Sequence, residues 1–255
     1  MIQEPMAWVE EGDFLYWSRS SHSVFESSVI RLITGIYQRD PRWARRIVRN
    51  RIFTTEALTE SSWGTVKVAA RRVDFSVRAL KSGASHSVEI VPSRGSADQP
   101  LNDTVEKVLL GWRGGSEDDV WKILDRMIAV AQSWESRILA LPVAAVLVDS
   151  EERILSWGVN SAWDYRTEHA ETNLIRRWYA KGCPGVPEKL WVTRKSCKMC
   201  SGWIWDAFAG PAGVPTVQVC YRDPDEGPLA KTTVLDVGSF ENRRALASAR
   251  SQGLL

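Results

Sequence analysis

The residues of this chain whose types and spacing could do chemistry are His169-Ala170-Glu171 and Cys197-Lys198-Met199-Cys200. One imidazole and two thiols are donors suited to zinc. Three protein ligands instead of four leave a coordination position for water, whose pKa zinc lowers to near neutrality. Glu171 then stands as a carboxylate outside the ligand set, placed to take a proton from that water and hand it to a leaving group. Activated water with a proton carrier beside it is the equipment for hydrolysing an exocyclic amine from a nucleobase. A lone Cys-x-x-Cys also occurs in redox motifs and zinc ribbons, so the weight rests on the joint order of the two motifs. A purely structural zinc is the competing reading, and it would need Cys183 or Cys220 as a fourth ligand.

The chain between the motifs must return to the same end of a sheet. From His169 to Cys197 is 28 residues (197 minus 169), enough for a helix, a turn and a strand. Leu174, Ile175, Trp178 and Tyr179 fall at helical spacing, and Lys181-Gly182-Cys183-Pro184-Gly185 stops that helix. Leu190-Trp191-Val192-Thr193 reads as a strand, and a second helix starts at Cys197 and runs to Gly210-Pro211. Cys197 and Cys200, three apart, share a helix face, and the positive end of the helix macrodipole favours their thiolates. Positions i and i+2 of an ideal helix diverge by about 200°. His169 and Glu171 therefore converge only at the very start of their helix.

These motifs, with the flanking Ser196 and Ser201-Gly202, resemble the cytidine and nucleotide deaminase superfamily, whose signature is His-x-Glu followed by Pro-Cys-x-x-Cys. The resemblance is closest to the tRNA adenosine deaminase branch. There a Gly-x-Asn precedes the histidine motif, as Gly158-Val159-Asn160 does here, and residues 221–227 look like the loop after the fourth strand. The layout also resembles the Bd3614-like bacterial deaminases, which add a separate N-terminal globular region. The resemblance covers the C-terminal half. It implies that His169, Cys197 and Cys200 hold Zn2+, that Glu171 shuttles protons, and that Asn160 and the Ala170 N–H contact the nucleoside. One residue departs from the pattern: Ser196 stands where the family has proline, loosening the entry to the second helix and bearing on base selectivity. Ser196 therefore joins the expected substrate-binding positions.

The implied fold is α/β, a cytidine-deaminase-like three-layer α/β/α sandwich over residues 116–255, preceded by a smaller α+β domain over 1–115. Residues 116–139 read as a helix closed by Pro142, and 144–148 and 154–159 as a hairpin around the turn 149–152. A fourth strand is expected at 214–221 and a terminal helix at 241–248. Met199 reads as core filler, and Cys183 and Cys220 as buried thiols.

In the N-terminal part, residues 24–37 carry apolar positions at helical spacing. Val66 and Val68, then Val73, Phe75 and Val77, alternate as half-buried strands do, and 87–91 is a third strand. Residues 93–100 read as a polar loop, and the break at 111–116 sets the domain boundary near Gly115. Residues 39–51 place six arginines around a short helix capped by Asp40, with Pro41 at its first position. Trp43 and Ile47 would dock that helix and leave Arg42, Arg45, Arg46 and Arg49 outward, where they could track phosphates or simply form a solvated face.

Composition bounds the rest. A chain of 255 residues, 44% hydrophobic and 25% charged, can bury a substantial core. Its net charge of +2 does not by itself announce nucleic acid. Four cysteines and an N-terminus unlike a signal peptide point to the cytoplasm. The longest apolar stretch, 138–148, is too short to span a bilayer and contains Pro142, so no membrane association is expected. The expected function is deamination of adenine or cytosine at an unpaired base of a nucleic acid, RNA before DNA. Deamination of a free nucleoside or nucleotide and a non-catalytic zinc-containing RNA-binding partner are the alternatives, and relatives' habits suggest a homo-oligomer.

Overall fold

The central strands of the C-terminal sheet are buried along most of their length, which marks them as the middle layer of their unit. The computed structural model describes residues 5–21, 23–70, 72–75, 83–92, 99–134, 141–160, 167–211 and 215–224. It divides into two compact units, Met1–Gly95 with Asp164–Thr167, and Ser96–Trp163 with Glu168–Leu255.

The N-terminal unit contains β1 (Met6–Glu11), β2 (Phe14–Arg19), α1 (Ser28–Arg39), α2 (Pro41–Ile47), β3 (Arg51–Thr54), α3 (Glu60–Ala69), β4 (Arg72–Phe75) and β5 (His86–Glu89). The sheet order is β4-β3-β1-β2-β5, with the central pairs antiparallel and the two outer pairs parallel. Gly12, at φ +58°, makes the tight turn between β1 and β2, a conformation that costs glycine nothing. The three helices share one core with the sheet: Val29, Leu32, Ile33 and Ile36 of α1, Ala44 and Ile47 of α2, and Val66 and Ala69 of α3 pack with Ala7, Val9, Tyr16 and Ile52.

Two expectations fail here. Val66 and Val68 lie in a helix, not a strand. Thr59 caps it by accepting the Ser62 N–H, and the Thr65 hydroxyl bonds back to the Ser61 carbonyl, so local polar groups and the buried faces of Ser62, Val66 and Ala69 override the β-propensity of valine. Strands β1, β2 and β3 were not among the expected elements. In β1 three consecutive residues, Ala7, Trp8 and Val9, are buried, so the period-two pattern of a half-buried strand is missing. Val77 lies outside the described residues.

The C-terminal unit contains α4 (Gln99–Leu109), α5 (Glu117–Trp134), β6 (Ala144–Val148), β7 (Ile154–Val159), α6 (Ala170–Ala180), β8 (Lys189–Arg194), α7 (Lys198–Phe208) and β9 (Gln218–Asp223). Helix α4, where a polar loop was expected to end at residue 100, packs on α5. The expected break near Gly115 thus lies between two helices of one unit. The expected terminal helix at 241–248 lies outside the described residues.

The sheet order is β7-β6-β8-β9, with β6 antiparallel to both neighbours and β8 parallel to β9. Every residue of β6 is buried, as both faces of the strand are covered. Ala144, Val146, Val148, Trp157, Val159 and Trp191 face a core built with Leu101 and Val105 of α4 and Val120, Leu124 and Met127 of α5. On the opposite face, the Ser156 hydroxyl donates to the Leu174 carbonyl of α6 at 2.8 Å. The unit is a three-layer α/β/α sandwich. Arg177 ties its layers together: the guanidinium lies 3.5 Å from the Trp157 ring centroid and donates to the Trp157 carbonyl and, at 2.8 Å, to Asn102 of α4. Burial lowers its pKa to about 10. Among the described residues, no helix is long and apolar enough to cross a membrane.

Candidate metal centre

The topology brings two helix starts to one end of the sheet. Strands β7 and β8 both run antiparallel to β6, so they point the same way, one on each side of it. Each is followed by a helix on the same face, so α6 and α7 both begin beyond the carboxyl ends of strands, where open α/β sheets build their sites. At these starts the residues are unusual. His169 is the N-cap of α6 and Cys197 that of α7, both with extended backbone, and neither side chain caps its helix. Histidine and cysteine are poor caps, and both side chains are turned to another use.

That use is visible in the distances. His169 Nδ1 lies 3.4 Å from Cys197 Sγ and 3.4 Å from Cys200 Sγ, and the two sulfurs are 3.5 Å apart. A tetrahedral zinc with bonds of about 2.3 Å to sulfur and about 2.0 Å to nitrogen spaces its ligands by roughly 3.5–3.8 Å. The donor set and the triangle therefore fit one such ion. Among the described residues, no other His, Cys, Asp or Glu side chain joins the three. Cys183 and Cys220, the thiols a structural site would recruit, stand outside the group, and both are partly exposed where buried thiols were expected. Met199, between the two cysteines, is fully buried core.

Glu171 occupies the second position of α6, the first turn in which it and His169 can face the same way. Its residue is only 3% exposed. Burial raises its carboxyl pKa and the Cys197 sulfur raises it further, while His169, its own backbone N–H and the Ser196 side chain oppose them. A buried carboxyl with a raised pKa beside a metal site is suited to holding a proton and giving it up. Cys197 is held well below the ordinary thiol value, chiefly by the Cys200 side chain and then by His169, against burial. Cys200 is pushed up by burial and by the neighbouring Cys197.

The remaining expected residues divide between the units. Ser196 is buried immediately before Cys197. Asn160 and Ala170 meet each other: Asn160 Oδ1 accepts the Ala170 N–H at 2.7 Å, and Asn160 Nδ2 donates to the Leu141 carbonyl at 2.8 Å. Asn160 thus caps the helix that His169 leaves uncapped, while bonding the segment entering β6. Asn160→Ala is expected to cost about 1–2 kcal/mol in thermal unfolding, with Asn160→Asp, which keeps the acceptor, losing less. Arg42, Arg45, Arg46 and Arg49 are exposed on and just after α2 in the N-terminal unit, while Ile47 is buried and Trp43 packs edge-on to Tyr16 at 4.9 Å.

One positioning residue was missed. Asn173 Nδ2 donates to the Val159 carbonyl at 2.9 Å and the Glu168 carbonyl at 3.3 Å, tying the first turn of α6 to the end of β7. An asparagine inside a helix, where its propensity is low, was the available signal.

Comparison with known proteins gives a family match and a solved structure. Residues 140–246 match the family model of the Bd3614-like deaminases. Among solved structures, the chain is similar to a diaminohydroxyphosphoribosylaminopyrimidine deaminase/5-amino-6-(5-phosphoribosylamino)uracil reductase from Thermotoga maritima. The identity is 19% and the TM-score 0.28, over 51% of this chain and 40% of that one, so the match spans less than half of that protein. No curated protein matches the chain. The C-terminal region of this chain, residues 140–246, is thus similar to the Bd3614-like deaminases.

Proposed function

We propose that the chain is a zinc-dependent hydrolytic deaminase of adenine or cytosine at an unpaired base of RNA. The observation that carries this reading is the triangle of His169 Nδ1, Cys197 Sγ and Cys200 Sγ with the buried Glu171 carboxyl beside it. When bound, zinc supplies a Lewis acid that makes a water in the remaining position acidic near neutral pH. His169, Cys197 and Cys200 would hold it, with both helix N-termini favouring the thiolates. Glu171 takes a proton from the attacking water and delivers it to the ring nitrogen, then carries the second proton to the departing amine, which leaves as ammonia. Asn160 and the first turn of α6 set the position of Glu171 against the base. A base stacked in a duplex cannot enter such a site, so the substrate is an unpaired or looped base.

The test is ammonia release from short single-stranded RNA and DNA oligonucleotides and from free nucleosides and nucleotides, before and after chelation of the metal and its return. RNA turnover that chelation abolishes and zinc restores is the expected result. Turnover of mononucleotides alone would defeat the polymer reading. Bound zinc without turnover of any substrate would leave a binding module.

The exposed arginines of the N-terminal unit support a polyanionic substrate. Arg46 pairs with Glu11 at 2.7 Å and should contribute least. The triple substitution Arg42→Ala, Arg45→Ala, Arg49→Ala should weaken single-stranded RNA binding and reduce the slope of log affinity against log salt by about 2, from roughly 0.7 per phosphate contact. An unchanged slope in filter binding would assign these arginines to a solvated helix face.

A further inference from the structure

The N-terminal sheet carries a row of rings that its core only partly absorbs. Phe14 and Tyr16, two apart on β2, stand on one face of the sheet, and Phe14 is paired across the ladder with His86 of β5. Tyr16 belongs to the core beneath the helices, whereas Phe14 is 42% exposed and His86 is exposed beside it. The rings are stacked: the Phe14 centroid lies 5.0 Å from that of His86 and 6.0 Å from that of Tyr16, at interplanar angles of 27° and 8°. Tyr16 in turn meets Trp43 of α2 edge-on at 4.9 Å.

Cations border this row. Burial raises the Tyr16 hydroxyl pKa and Glu11 raises it further, while Arg39 and Arg46 nearby lower it. Arg46 pairs with Glu11, the residue opposite Phe14 in the β1–β2 ladder, so that carboxylate does not repel an anion there. Arg39 ends α1, and Arg42 lies beside Trp43 in α2; both are exposed. A single exposed phenylalanine is ordinary protein surface. One that is stacked on an exposed imidazole and bordered by guanidiniums suits a ligand that is itself flat and joined to anions. An apolar peptide would leave the arginines unmatched, and an acidic peptide would leave the rings unused. A single nucleic-acid strand matches both, since every base has a π-face and every link a phosphate. Resting on the RNA reading above, we infer that Phe14 and His86 form a platform on which a base of single-stranded RNA stacks, with Arg39 and Arg42 taking the phosphates beside it. Stacking of this kind reads no base edge, so the platform adds affinity with little preference for sequence.

The experiment measures, on the full chain, affinity for two labelled oligomers of about 12 nucleotides, an oligouridylate and an abasic ribose-phosphate chain of equal length. The abasic chain keeps the phosphates and lacks the bases. Phe14→Ala combined with His86→Ala is expected to weaken oligouridylate binding about 10- to 100-fold, with abasic-chain affinity within about twofold and an unchanged slope against salt. Phe14→Leu, which keeps apolar bulk without a ring, should weaken oligouridylate binding in the same direction, and Phe14→Trp should retain it. All three should melt with the parent, because the Phe14 ring lies at the edge of the core. Unchanged oligouridylate affinity in the double variant would overturn the inference, as would an equal loss on both oligomers or full binding by Phe14→Leu. Loss of binding to phosphatidylserine vesicles in the double variant, with RNA affinity intact, would overturn it in favour of a membrane surface. A parent that binds no RNA removes the polymer reading and this inference together. A parent that binds RNA and releases ammonia from it, matched in affinity by the double variant, refutes the platform alone.

Discussion

Glu171→Gln is expected to lower ammonia release by about 10³-fold, within the 10²- to 10⁴-fold range of a positioned acid–base group, while leaving the metal bound. The amide fills the space of the carboxyl but cannot take a proton from water. The carboxylate lies outside the ligand triangle, so the three donors and their spacing should survive. Stability should not fall. The parent holds an acid in a site where burial disfavours its charge, and a neutral amide removes that penalty. Activity assays, zinc analysis and a melting curve on one preparation separate the outcomes. Lost zinc would mean that Glu171 helps hold the metal. Full activity would mean that another group moves the proton.

Gly158→Ala is expected to disable the site from a position that touches neither metal nor substrate. Strand β7 and helix α6 approach so closely there that a Cβ would stand 2.0 Å from the Ala170 carbonyl oxygen and 2.7 Å from the Leu174 nitrogen. Both are backbone atoms of α6, so no side chain can swing aside. The first turn of α6 must lift from the sheet, carrying His169 and Glu171 away from the cysteines. Overpacking of this kind costs about 3 kcal/mol, and a displacement near 1 Å at a reacting centre costs about 100-fold in rate. Zinc content, melting temperature and ammonia release should all fall together. Gly83→Ala, where a Cβ would meet nothing within 4 Å, serves as the neutral control. Parent-like zinc affinity in Gly158→Ala would show that α6 does not depend on this contact for its placement.

Much of the site was legible because it is written in residue types that have few other uses. The order His-x-Glu, then Cys-x-x-Cys, with an amphipathic helix and an apolar strand between, pointed to the His169, Cys197 and Cys200 cluster, to the buried Glu171 beside it and to the strand–helix units that bear them. Helix α5 was equally clear, since its apolar positions repeat at helical spacing and Pro142 follows it. Local pattern was a poor guide in the N-terminal unit. Val66 and Val68 look like strand residues because valine favours strands, yet Thr59, Ser61, Ser62 and Thr65 supply capping and back-bonding that suit a helix packed beneath a sheet. Helix α4 escaped because its amphipathic pattern begins just after a polar stretch, and only its packing on α5 places it with the C-terminal unit.

By itself the sequence determined which atoms can bind a metal, which carboxyl can move a proton, and that each stands at the start of a helix, because donor chemistry and hydrophobic period are properties of neighbouring residues. Tertiary structure decided that the two helix starts meet. The antiparallel β6 places β7 and β8 in one direction, Gly158 lets α6 settle onto the sheet, and Asn160 caps a helix whose own N-cap residue, His169, is turned toward the two cysteines.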